Sequence, residues 1–164
     1  MANYLEQLVA EWYEYQGYFV RRNVSVGKRP RGGYECELDV VAFHPSDGHL
    51  VHIEPSMDTD SWETRERRYR KKFRAGRKHI RKLFDGFEVP EEIDQIALFV
   101  YASKKNRTQL GGGELRLMSE MMAEIMHVLR QKPLDTEAIP ENFPILRSFQ
   151  FVAYYRKAIA ASLL

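Results

Sequence analysis

The stretch from Tyr34 to Glu54 constrains the fold of this chain more than any other. It runs Glu37-Leu38-Asp39-Val40-Val41-Ala42, breaks at Pro45-Ser46-Asp47-Gly48, and resumes as Val51-His52-Ile53-Glu54. Pro, Ser, Asp and Gly in succession are turn formers. The flanking runs are apolar and β-branched, so the spacing predicts a hairpin with strands over 34–43 and 50–54. Side chains alternate faces along a strand. Glu37, Asp39 and Val41 then share one face, as do His52, Glu54 and Ser56, and pairing of the strands lets Asp39 and Glu54 converge. Acids inside apolar strands are costly to bury unless they are paired or bind a cation. Two that converge repel each other, and a divalent ion relieves the repulsion; oxygen ligands of this kind suit Mg²⁺ or Mn²⁺. Phosphodiester hydrolysis is the chemistry that fits such a pair, because a metal there polarises a phosphate and acidifies bound water. The same spacing also fits a hairpin whose acids face solvent.

The segments around the hairpin read as a mixed α/β plan. Leu5, Leu8, Val9, Trp12 and Tyr13 recur at helical spacing between Asn3 and Gln16, with Asn3 as N-cap and Gly17 as stop. Residues 18–26 are rich in aromatic and β-branched types and predict a strand, and 27–33 predict a loop. Asp60 or Ser61 caps an expected helix to about Phe84, and the run Ile96-Ala97-Leu98-Phe99-Val100 predicts a buried strand. A polar loop is expected over 104–113, ending in Gly111-Gly112-Gly113, and a helix over 114–132 with Leu117, Met121, Met122, Ile125 and Leu129 as its stripe. A connector over 133–144 leads to an expected last helix from Pro144 to about Ala161. One layered α/β domain over 1–164 accommodates this order, with a core over about 1–103 and a helical extension over about 111–164.

The succession of a glutamate-bearing helix, Gly17-Tyr18, a strand, a glycine loop, Glu37-Leu38-Asp39-Val40-Val41, a turn and Val51-His52-Ile53-Glu54 resembles the core of the PD-(D/E)XK, or restriction-endonuclease-like, nucleases. The resemblance covers about residues 4–101. It implies an α-β-β-β-α-β core, a mixed sheet flanked by helices, with two helices following it in this chain. It implies metal-dependent cleavage of nucleic acid, with Asp39 and Glu54 as ligands of Mg²⁺ or Mn²⁺ and Glu6 as the helix acid that joins them. It also places the motif lysine at Ser56, where this chain has none. A lysine there helps orient the attacking water and stabilises developing negative charge, which a serine hydroxyl cannot do. The alternative is a module of the same fold that binds nucleic acid or a protein partner without cleaving.

The missing ammonium has a candidate source. Trp62, Tyr69, Phe73, Gly76, Ile80 and Leu83 share one face of the helix expected after Ser61. Lys72 lies on the margin of that face, about 60° from Tyr69, whereas Lys71 points away. Lys72 is therefore expected to replace the lysine lost at Ser56. The same helix carries eleven Lys or Arg against two acids between Glu63 and Lys82, nine net positive charges in a chain whose total is +2. Arg65, Arg67, Arg70, Lys71, Arg74, Arg77 and Lys78 are the expected contacts to a phosphate backbone, DNA foremost.

The remaining features exclude more than they assign. Cys36 is the single cysteine, so an internal disulfide and a cysteine-rich zinc site are both excluded. The five histidines lack metal-site spacing, although His52 shares a strand face with Glu54 and can support it. No apolar run approaches the ~20 residues that span a bilayer. Glu6 and Glu11 stand where a secretory leader would be basic and then apolar, so a cytoplasmic protein is expected. The aromatic residues Phe149, Phe151, Tyr154 and Tyr155 read either as intramolecular packing or as a homodimer face.

Overall fold

The computed structural model describes residues 3–163. It is α/β, with a six-stranded mixed sheet, helices that flank it, and helices at the C-terminal end. Helix α1 (Tyr4–Tyr15) starts where Asn3 Oδ1 accepts the Leu5 amide at 3.1 Å, and its stripe Leu5, Leu8, Val9, Trp12 and Tyr13 is buried. It ends before Gly17, whose φ of +94° no other residue adopts cheaply. Strands β1 (Phe19–Val26), β2 (Cys36–His44) and β3 (His49–Ser56) form an antiparallel meander.

Helix α2 (Trp62–His79) crosses over to β4 (Asp94–Phe99), which pairs parallel with β3. Ser61 caps α2, and a 3-10 turn over Ile80–Phe84 continues it. Two short strands, β5 (Gln109–Leu110) and β6 (Gly113–Leu117), complete the sheet in the order β1-β2-β3-β4-β6-β5. Val41, Phe43 and Leu50 pack with Ala75, Ile80 and Phe84 on the α2 side, while Tyr69 and Phe73 of α2 meet Ala97, Phe99, Leu110 and Leu115. Val40, Ala42, Val51 and Ile53 point the other way and are also buried, and α1 packs on these same strands.

Three expectations are corrected here. The helix expected over 114–132 does not begin at Glu114: its first residues are β6, parallel to β4, and helix α3 spans Met118–Leu129. Leu115 and Leu117 fit a helical stripe and a strand equally well, and the open edge of the buried β4 supplies the hydrogen bonds that decide for the strand. The triple glycine is a hairpin turn instead of a flexible loop. Gly111 and Gly112 have φ of +62° and +87°, and a Cβ on Gly111 would lie 2.5 Å from the Arg70 backbone nitrogen. The last helix is likewise two helices, α4 (Pro144–Tyr154) and α5 (Arg156–Leu163), with Arg156 Nη1 donating to the Ala153 carbonyl at 3.0 Å across the break.

The chain divides into two compact units, one ending at Met118 and the other starting at Ser119. In the second, the amide of the fully buried Gln150 organises the connector. It accepts the Ile139 N–H at 2.8 Å and donates to the carbonyls of Glu137 at 2.9 Å and Lys132 at 3.2 Å. No helix among the described residues is long and apolar enough to cross a membrane.

Candidate active site

The β2–β3 register brings the two acids together. Val41 pairs with His52 and Val40 with Ile53, so the next step along both strands sets Asp39 opposite Glu54. The β1–β2 ladder skips one pair at the same level: Arg22 faces Val40 and Val24 faces Leu38, while Asn23 adopts a left-handed φ of 51°. Asparagine tolerates that conformation better than most residues. Beyond this break Val26 and Leu38 belong to the same buried cluster as Ala75 of α2 and Val41 of β2.

Glu54 is 1% exposed and fully engaged. Its Oε1 accepts the Asp39 backbone N–H at 3.2 Å and lies 2.6 Å from His52 Nε2, and its Oε2 accepts the Lys72 ammonium. The Tyr69 hydroxyl donates to its backbone carbonyl at 3.2 Å. Lys72 Nζ also lies 2.6 Å from Asp39 Oδ1, so one ammonium from α2 bridges carboxylates from two strands. Its neighbour Lys71 is exposed.

Burial dominates the electrostatics. It pushes the Asp39 carboxyl up to about 7, helped by its hydrogen bond to Glu54 and the charge of that neighbour, with Lys72 pulling the other way. Burial also raises Glu54, against the opposing pull of Asp39 and Lys72. For Lys72 burial works against the ammonium, but the two carboxylates outweigh it and hold the group above its ordinary value. His52 is pushed down to about 3, chiefly by burial, so its ring is neutral. Glu6, half-buried on α1, is raised by burial and by the Asp39 charge, while the side chains of Asn3 and Asn23 hydrogen-bond it.

The other expected residues divide. Ser56 does not reach the carboxylates: its hydroxyl donates to Asp58 and accepts the Asp58 N–H at 3.1 Å. Arg65 is not a surface cation. It is 4% exposed, its Nε donates to Asp58 at 2.8 Å, its Nη2 to the Tyr101 carbonyl at 3.1 Å, and its guanidinium lies 4.4 Å from the Phe99 ring centre. A side chain so engaged holds α2 to the strand ends and is withdrawn from any phosphate. Arg67, Lys71 and Arg74 are exposed, as are Arg70, which pairs with Glu66 at 2.7 Å, Lys78, which pairs with Glu35 at 3.2 Å, and Arg77, which donates to Gln95.

Sequence reasoning missed Asn23 and Gln95. A polar residue ahead of Ile96-Ala97-Leu98-Phe99 and an asparagine inside a β-rich run were the available signals. Among the described residues no three of His, Cys, Asp and Glu form a ready metal cluster; Asp39 and Glu54 are the hydrogen-bonded pair, with Glu6 felt through its charge. The chain matches no protein-family model and no curated protein.

Proposed function

We propose that this chain is a metal-dependent nuclease of the PD-(D/E)XK type, cleaving phosphodiester bonds in nucleic acid, DNA foremost. The observation that carries the reading is the meeting of Asp39, Glu54 and Lys72 from two strands and a helix. The motif position of the lysine is Ser56, and a cation reaches the carboxylates from α2 in its place.

The donor set fits a hard divalent ion. Two carboxylates meet in a largely buried setting, and burial, with the hydrogen bond and charge of Glu54, raises Asp39 to about 7 against the pull of the one Lys72 ammonium, so the pair can use further positive charge. Asp39 and Glu54 would hold Mg²⁺ or Mn²⁺, with Glu6 close enough to add charge. Such an ion, when bound, supplies Lewis acidity at the phosphate and a more acidic water. Lys72 then orients that water or meets charge developing on the phosphate oxygens. Exposed Arg67, Arg70, Lys71, Arg74, Arg77 and Lys78 line α2 as contacts to the backbone.

One observation favours a non-cleaving module instead. The Lys72 ammonium already bridges both carboxylates, and with a proton on Asp39, which is raised to about 7, the trio is a charge-balanced network without a metal. A cleavage assay on supercoiled plasmid and single-stranded DNA, in Mg²⁺ and in Mn²⁺, separates the two. The nuclease reading expects metal-dependent nicking that Asp39→Asn and Lys72→Ala abolish and Lys71→Ala retains. DNA binding without cleavage in either metal would establish the module instead.

A further inference from the structure

Behind Glu54 runs a chain of polar side chains that the proposed chemistry leaves unassigned. His52 is fully buried and Gln95 is 6% exposed. Gln95 Nε2 lies 2.9 Å from the Phe73 carbonyl and 3.1 Å from His52 Nδ1, and its Oε1 meets Arg77 Nη1. A carbonyl only accepts and a guanidinium only donates, so both ends of the amide are fixed in orientation. Gln95 Nε2 is then a donor to His52 Nδ1, and the single ring proton of a neutral imidazole sits on Nε2, 2.6 Å from Glu54 Oε1. The helix makes room for this chain. A Cβ on Gly76 would lie 2.5 Å from His52 Nδ1 and 3.0 Å from Gln95 Nε2. Glycine is a poor helix former, and here it stands in mid-helix where the network passes under α2.

We infer that His52, its tautomer set by Gln95, is a positioning residue of the site. With the Asp39 N–H it occupies Glu54 Oε1, and so turns Oε2 toward Lys72, whose ammonium also meets Asp39 Oδ1. The inference rests on the reading of Asp39 and Glu54 as metal ligands. Partners that orient a ligand from behind are worth ~10- to 100-fold in metal affinity. His52 acts through Glu54 and touches neither substrate nor metal itself.

The test combines Mn²⁺ titration by electron paramagnetic resonance with ¹⁵N NMR of the imidazoles. The wild-type ring is expected to carry its proton on Nε2. His52→Leu, shown to be folded by circular dichroism, is expected to bind Mn²⁺ ~10- to 100-fold more weakly. His52→Gln, whose amide can still donate to Glu54, is expected to recover part of the loss. Gln95→Met leaves the ring in place but frees its tautomer; a smaller loss is expected there, and this variant carries the test if His52→Leu does not fold. Unchanged affinity in the folded variants, or a wild-type ring protonated on Nδ1, overturns the inference. Absence of Mn²⁺ binding by the wild type overturns the metal reading instead, and the ring spectrum alone then decides whether His52 holds Glu54.

Discussion

Lys72 carries two roles that respond differently to mutation. It bridges a largely buried carboxylate pair, and it is the proposed cation of the chemistry. Removing one partner of a fully buried ion pair strands the other charge, at a cost of ~3–5 kcal/mol. Lys72 is 22% exposed and Asp39 can take a proton, so Lys72→Ala is expected to destabilise the fold by only about 1–3 kcal/mol in urea unfolding at pH 7. Lys71→Ala is expected within about 0.5 kcal/mol of wild type. Asp39 adds a pH signature. Its folded value, about 7, lies above its ordinary value of 3.8, so the folded state holds a proton that the unfolded state has lost. Its contribution to stability is complete below about pH 4 and falls as pH rises toward 7. Asp39→Asn is expected to remove that decline, measured as unfolding free energy against pH without metal; an identical slope in the variant would contradict the assignment.

Asp58 gives the opposite sign, and it belongs to the elements it joins. Burial works against its charge, but the Ser56 hydroxyl, Arg65 and Arg68 outweigh it and bring Asp58 down to about 2. A lowered carboxyl stabilises above its ordinary value of 3.8 and loses that stability as pH falls toward 2. Asp58→Asn, which leaves Arg65 buried without its anion, is expected to lower the melting temperature at pH 7 and to flatten the acid limb between pH 4 and 2. Among the elements, α1 was legible because its apolar stripe and Asn3 cap agree, and the β2–β3 hairpin because alternation and turn residues agree. The Lys72 contact was legible only from its place on the helix margin. Strands β5 and β6 were not legible, because the pairing of Gly113–Leu117 is decided by β4, a separate segment of the chain. The Arg65 and Ser56 roles were hidden for the same reason, since both depend on Asp58 as a common partner. Gly111→Ala tests the corrected turn. It combines a positive φ with a 2.5 Å approach to the Arg70 backbone, so a loss of ~2–4 kcal/mol is expected in chemical unfolding.

Across the whole molecule charge is separated, with nine net positive charges between Glu63 and Lys82 against a total of +2. On the proposed reading, exposed cations of α2 draw in a polyanion while the carboxylates wait on the sheet beneath. Replacing Arg67, Arg70, Arg74 and Lys78 with glutamine is expected to reduce the log–log salt slope of duplex binding by about 0.9 for each phosphate that is no longer neutralised. An unchanged slope would move the binding surface elsewhere. The central claim is that Asp39 and Glu54 form a metal site that Lys72 completes, and a crystal structure in saturating Mn²⁺ with anomalous scattering tests it most directly. The account predicts an anomalous peak within about 2.3 Å of an oxygen from each carboxylate, with the Lys72 ammonium displaced from at least one of them. Both carboxylates still bridged by Lys72, with no anomalous peak beside them, would contradict it.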